Sequence, residues 1–230
     1  MNDLELYRQA KRARWFGNTA KAIEICSRAD SFKCDLLKSR LVNRGPHYTK
    51  ILARYHRRLQ PKCYLEIGVA DGDTFTLSKA PTTVGVDPAV DRPGVYRMMS
   101  DEFFNEHGSR FQPDMAFIDG SHDFDDALRD FINVERIMTP KGVIFLHDIL
   151  PLDERTATKE RHTQFWSGDI WRLHLLLREQ RPDLSLRLFR VPPTGLLMVS
   201  GLDPASSRLG DDYTALVAAY NQRSFADRIR

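Results

Sequence analysis

Several of the usual markers are missing from this 230-residue chain, and each absence removes a class of function. Cysteine is scarce. Cys26, Cys34 and Cys63 are odd in number and lack metal-ligand spacing, which excludes a disulfide framework and a structural zinc site and fits reduced thiols in a cytoplasmic protein. No apolar run approaches the ~20 residues a membrane span requires, so no membrane partner is expected. Met1-Asn-Asp-Leu-Glu-Leu has no basic start followed by an apolar core, so no signal peptide is expected. Excess charge of one sign is also absent: 34 Lys and Arg face 31 Asp and Glu, for a net charge of +3. Without a basic stripe interleaved with aromatics, nucleic acid is not expected as a main partner. The cluster Arg54 to Arg58 reads as a solvated helix face. The dinucleotide fingerprint G-x-G-x-x-G is missing too, because Ala70 occupies its middle position and disfavours a close pyrophosphate. There is no internal repeat and no low-complexity segment.

What is present begins with Tyr64-Leu-Glu-Ile-Gly-Val-Ala-Asp-Gly72, followed by Val84-Gly-Val-Asp87. This reads as a buried strand, a glycine turn, a short helix and a second strand ending on an acid. Gly68 and Gly72 let backbone approach a ligand closely. Asp87 stands where a carboxylate accepts hydrogen bonds from a ribose diol. Glu66, beside the turn, is placed to meet the ammonium of an amino-acid moiety, which a dinucleotide lacks. The plain alternative is a strand-turn-helix whose glycines serve packing alone. Four features in register favour a nucleoside-bearing cofactor.

The first sixty residues read as helices, with apolar spacing over Ala20 to Ala29 and Phe32 to Leu41 and a further helix from Pro46 to Leu59. From Cys63 short apolar runs alternate with helical segments: Tyr64–Ile67, Val84–Val86, Val95–Met99, Met115–Ile118 and Val143–Leu146. That alternation predicts an α/β fold with a parallel sheet covered on both faces. Asp123 to Met138 is the clearest amphipathic helix, with Ser121 as its expected cap. Pro151 to Gln164 is polar and reads as an exposed loop. A helix near Ile170 to Gln180 and an antiparallel pair over Leu184–Arg190 and Gly195–Gly201 close the chain. The expected organisation is a helical N-terminal cap over 1–60 and a cofactor-binding domain over 61–230. The cap is a lid over the acceptor or a contact in a homo-oligomer.

A second constellation lies at later strand ends: Phe117-Ile-Asp-Gly-Ser-His-Asp-Phe124 and Phe145-Leu-His-Asp-Ile149. Ligands of open parallel sheets bind at the carboxyl ends of strands, so Asp119, His122, His147 and Asp148 should converge near the cofactor. Two carboxylates with imidazoles suit a divalent cation such as Mg²⁺ or Mn²⁺. A cation stabilises an alkoxide, and a neighbouring imidazole can take its proton; His122 is the natural base. Each residue also has a plainer role: helix cap, backbone-bonded loop histidine, or orienting group. Ser100 and Asp101 are candidates for an adenine contact or for capping the following helix.

Glu66-x-Gly68-x-x-x-Gly72 with Asp87 resembles motif I of the class I S-adenosylmethionine-dependent methyltransferases. Asp119-Gly-Ser-His122, Asp130, Gly142 and His147-Asp148 are similar to the branch that contains metal-dependent sugar O-methyltransferases, as are Ser100-Asp-Glu-Phe-Phe104 and Gly168-Asp-Ile-Trp171. The resemblance implies a Rossmann-like methyltransferase sheet, mostly parallel with an antiparallel closing strand. It implies S-adenosylmethionine held by Glu66, Gly68, Gly72, Asp87 and Asp101, and a small polar or sugar-like acceptor. It further implies a metal at Asp119, His147 and Asp148, with His122 as base. The branch has an acid where this chain has His147, which bears on metal use. The rival readings are a metal-free methyltransferase, a non-catalytic cofactor-binding scaffold and, disfavoured by Ala70, an NAD-dependent oxidoreductase.

Overall fold

The computed structural model describes residues 2–229. Four helices open the chain: α1 (Asp3–Trp15), α2 (Thr19–Cys26), α3 (Phe32–Val42) and α4 (Tyr48–Leu59). Asn2 and Asn18 cap the first two, their side chains accepting from the backbone of Glu5 and Lys21. Helices α1 to α3 gather around a core of their own, including Leu6, Ala10, Ile25, Cys34 and Leu37. Helix α4 packs instead on the sheet, where Leu52 and Tyr55 meet Tyr64, Phe117 and Phe145.

The strands are β1 (Cys63–Ile67), β2 (Thr82–Val86), β3 (Val95–Tyr96), β4 (Met115–Ile118), β5 (Val143–His147), β6 (Ser185–Phe189) and β7 (Leu196–Ser200). They form one sheet in the order β3-β2-β1-β4-β5-β7-β6. The first five run parallel, and β7 is antiparallel to both β5 and β6. All of β4 and β5 is buried, because helices cover both faces; this is why these strands read as continuous apolar runs rather than alternating ones. The covering helices are α5 (Ser100–Glu106), α6 (Phe124–Ile137), α7 (Trp171–Gln180), α8 (Arg208–Asp211) and α9 (Tyr213–Asn221). Strand order reverses beside β1, so the carboxyl ends of β1 and β4 open a crevice at the topological switch point.

Three details differ from the sequence expectation. The third strand stops at Tyr96, because Met98 N–H turns back to the Tyr96 carbonyl and carries Met98 and Met99 to the crevice. Helix α6 is capped by Asp123, which accepts from Asp125 N at 2.9 Å, while the Ser121 hydroxyl accepts from Asp123 N. The segment 151–164 is not a free surface loop. Lys38 pairs with Asp153 at 2.7 Å, and Arg155 pairs with Asp35 at 2.7 Å and Asp30 at 2.8 Å. Its charges answer charges on the N-terminal helices, and Thr156, Ala157 and Thr163 are buried beneath them. Burial of Asp35 pushes its carboxyl up to about 6, although Arg155 beside it pulls the other way. Among the described residues no helix is long and apolar enough to cross a membrane.

Candidate active site

The turn after β1 is built by backbone conformation. Gly68 has φ 83°, and an added Cβ would overlap the carbonyl of Asp119 at the end of β4. The two strand ends can approach this closely only because the residue is glycine. Ala70 also adopts a left-handed φ of 47°, which costs a residue with a side chain about 1–3 kcal/mol. The turn is pinned by Asp87: one oxygen accepts from Val69 N at 3.0 Å and Ala70 N at 2.9 Å, and the other accepts from Ala89 N at 2.8 Å. Burial would raise the Asp87 carboxyl, but the amides of Ala70, Ala89 and Val69 outweigh it and hold the group below the ordinary carboxylate range.

A cavity of about 510 Å³ runs along these strand ends. Gly68, Ala70, Asp87, Met99, Asp101 and Asp119 are among its walls, and a crevice lined from the glycine turn to Met99 suits a nucleoside ligand. Asp101 lines it while paired to Arg129 at 2.8 Å. Two residues expected against the cofactor sit elsewhere. Glu66 is fully buried behind the turn, one oxygen accepting from Tyr64 Oη and the other from Thr74 Oγ1, both at 2.6 Å. Burial pushes its carboxyl up to about 7. Gly72 lies against the Arg92 guanidinium rather than the cavity. The sequence pattern could not show this, since alternate residues of a buried strand both face protein.

At the ends of β4 and β5 the second constellation converges as expected, with one change of partners. His147 Nδ1 lies 3.1 Å from Asp119 and 3.5 Å from Asp148, while its other ring nitrogen is buried without a hydrogen-bond partner. The ring packs on Tyr48 with centroids 4.1 Å apart. Burial would lower the His147 imidazole, but the carboxylates of Asp119 and Asp148 outweigh it and raise the group above its ordinary range. Burial raises and His147 lowers Asp148, with the net shift downward. Asp148 has φ 58°, also accepts from the Thr194 hydroxyl, and lies 3.3 Å from His122 Nε2. The donor atoms of Asp119, His122 and Asp148 lie within 4.8 Å of one another. That mixed oxygen and nitrogen set fits a divalent cation of the Mg²⁺ or Mn²⁺ class. His122, expected as the base, thus joins this donor set, and His147, expected as a ligand, is oriented by the two carboxylates.

A second cavity of about 380 Å³ opens on the other side of this cluster. It shares Asp119 and His122 with the first and adds Phe32, Leu36, Phe165 and Trp166 as apolar walls. Trp166 stacks on His122, with centroids 4.8 Å apart and planes 18° from parallel. Asp169 holds the backbone beside His122 in place. Its N–H donates to the His122 carbonyl at 3.1 Å, and its carboxylate accepts from Phe124 N at 2.7 Å and Arg172 at 2.8 Å. Gly168, at φ 66°, passes so close that a Cβ would overlap that same carbonyl. The signal in the sequence was the Gly168-Asp-Ile-Trp171 run, whose physical task is to fix the backbone of His122.

Residues 86–149 match a family of methyltransferase domains. No curated protein matches the chain by sequence. Among solved structures, the fold is similar to that of a candidate O-methyltransferase from Klebsiella pneumoniae: TM-score 0.52, 15% identity, covering 66% of this chain and 79% of that one. An O-methyltransferase from Bacillus cereus in complex with S-adenosylhomocysteine gives a TM-score of 0.50 at 16% identity, covering 72% of this chain and 89% of that one. A candidate caffeoyl-CoA O-methyltransferase from Staphylococcus aureus gives 0.50 at 15%, covering 79% and 98%. The sheet is thus the Rossmann-like methyltransferase fold, and residues 86–149 carry the match to the methyltransferase domain family.

Proposed function

We propose that the chain transfers the methyl group of S-adenosylmethionine to a hydroxyl oxygen of a small acceptor. One observation carries this reading: two separate cavities meet at Asp119 and His122. The cofactor occupies the larger, with Asp87 and the Gly68 turn at its ribose and Asp101 toward its base. The acceptor enters the smaller, between Phe32, Trp166 and the carboxylate cluster, as a polar or sugar-like molecule whose ring can lie on those aromatic faces. The helices of residues 1–60 cap the domain of residues 61–230 and supply Phe32 and Leu36 to that chamber.

His122 Nε2 takes the proton of the attacking hydroxyl, and Asp148 at 3.3 Å balances the imidazolium charge that forms. Asp169 and Gly168 fix the backbone of His122, so that the two reacting centres are held in line. Asp119 and Asp148 would hold a divalent cation, which would supply Lewis-acid stabilisation of the alkoxide while His122 stays free as the base. His147, placed between the two carboxylates, orients them and offsets their charge. Its position favours a second reading, transfer without a metal, because an imidazolium there already compensates Asp119 and Asp148.

The test is methyl transfer from labelled cofactor to a panel of hydroxylated acceptors, with chelator and with Mg²⁺ or Mn²⁺ restored. His122→Ala is expected to lower kcat by about 10²–10⁴-fold with cofactor affinity intact. Loss of turnover on chelation, recovered by the cation, selects the metal-assisted route; chelator-insensitive turnover selects the metal-free one. Cofactor binding with no turnover on any hydroxyl, and none affected by His122→Ala, refutes both.

A further inference from the structure

The outer end of α1 carries two aromatic side chains that the fold leaves uncovered. Trp15 is 86% exposed and Phe16 72% exposed, the highest values among the exposed large hydrophobic residues. They are held outward by a tight turn, in which Gly17 N–H donates to the Arg14 carbonyl and Asn18 N–H to the Ala13 carbonyl, both at 2.9 Å. Gly17 has φ 77°, and a Cβ there would meet nothing within 4 Å, so this corner projects into open solvent. Arg8, Lys11, Arg12 and Arg14 are exposed on the same helix. Among the described residues none of the four forms an ion pair with an acid; Lys11 lies over Tyr7 and Arg12 over Phe16. The acids of α1, Asp3 and Glu5, sit in its first turn. At 1.5 Å per residue Asp3 is roughly 18 Å from Trp15 along the axis, beyond the range of unscreened attraction at physiological salt.

Basic residues near a helix C-terminus offset its dipole, which accounts for the charges but not for the paired aromatics. We propose that this corner docks on an anionic lipid surface. Tryptophan and phenylalanine insert at the headgroup level, while arginine and lysine meet the phosphates. A second copy of the chain is disfavoured as occupant, because two identical corners bring like charges together. A lipid surface also requires no matching pocket, which suits a projecting corner better than a groove. Such contact is peripheral and needs no spanning helix. It would bring the enzyme to acceptors held at a membrane face.

The experiment is co-sedimentation of the full chain with vesicles of phosphatidylcholine alone and with about 30 mol% phosphatidylglycerol. Binding to the anionic vesicles is expected to be about tenfold stronger or more, to fall as salt rises, and to shift tryptophan emission to the blue. Trp15→Ala/Phe16→Ala should remove the emission shift and weaken binding about tenfold, and Arg12→Gln/Arg14→Gln should weaken it similarly. Both double variants should keep S-adenosylhomocysteine affinity; Trp15→Ala/Phe16→Ala should also keep thermal stability, while Arg12→Gln/Arg14→Gln should lower it slightly by removing charges that offset the α1 dipole. Equal binding to both vesicles, binding to neither, or binding unchanged in both variants overturns the proposal. Self-association without lipid that Trp15→Ala/Phe16→Ala abolishes also overturns it, and assigns the corner to a second copy.

Discussion

Replacing Glu66 with glutamine keeps the shape of the side chain and removes a titrating group from the interior. Burial raises this carboxyl from 4.5 to about 7 in the folded protein. Between those two values the folded chain keeps the proton while the unfolded chain releases it. Stability therefore falls as pH rises through that window and is level above it. The difference corresponds to roughly 3 kcal/mol at most. Glu66→Gln removes this slope. Against that gain, the amide keeps one acceptor where Tyr64 and Thr74 each donate to an oxygen, at a cost of about 1 kcal/mol. The variant is thus expected to be about 1–2 kcal/mol more stable than the parent near pH 8 and slightly less stable near pH 5. Urea unfolding at both pH values measures it. An identical pH slope in parent and variant refutes the argument, as does a variant markedly weaker near pH 8. The same protein separates two roles of Glu66. A carboxylate facing the cofactor ammonium predicts a loss of S-adenosylhomocysteine affinity of about tenfold or more, whereas one buried behind the turn predicts a change within about threefold.

Two further predictions follow from hydrogen bonds and close contacts at the site. Asp87→Ala frees the amides of Val69, Ala70 and Ala89, so titration calorimetry should show S-adenosylhomocysteine binding weakened by about 30-fold or more; Asp87→Asn, which retains one acceptor, should lose less. Gly168→Ala puts a Cβ onto the His122 carbonyl at a left-handed backbone position, and should cost about 1–3 kcal/mol of stability. Its kcat should fall by about tenfold or more, with KM for the cofactor unchanged, because the shift reaches His122 and spares the glycine turn. Equal losses in kcat and cofactor affinity would show that the segment around Gly168 supports the whole crevice instead.

The layered α/β architecture is legible in the sequence, because strands buried on both faces read as continuous apolar runs and Met115–Ile118 and Val143–Leu146 are such runs. The sequence by itself also determined that Asp87, Asp119, His122, His147 and Asp148 lie at strand ends on one edge of the sheet, since parallel strands all deliver their carboxyl ends to the same side. What it left open was direction and partnership. Glu66 and Gly68 belong to one motif, yet only the packing of Tyr64 and Thr74 decides that the carboxylate turns inward. His122 and His147 are both imidazoles beside an acid. Only the depth of burial at the end of β5 decides that His147 is enclosed between two carboxylates while His122 faces both cavities. The segment 151–164 looked solvated because its charges have no partner nearby in the chain. Their partners, Asp30, Asp35 and Lys38, stand more than a hundred residues away and become neighbours only when α3 folds over the active-site edge. Local sequence encodes periodicity and backbone freedom, which are properties of neighbours in the chain. Which polar groups share a desolvated space is a property of neighbours in space, and that was decided by the tertiary structure.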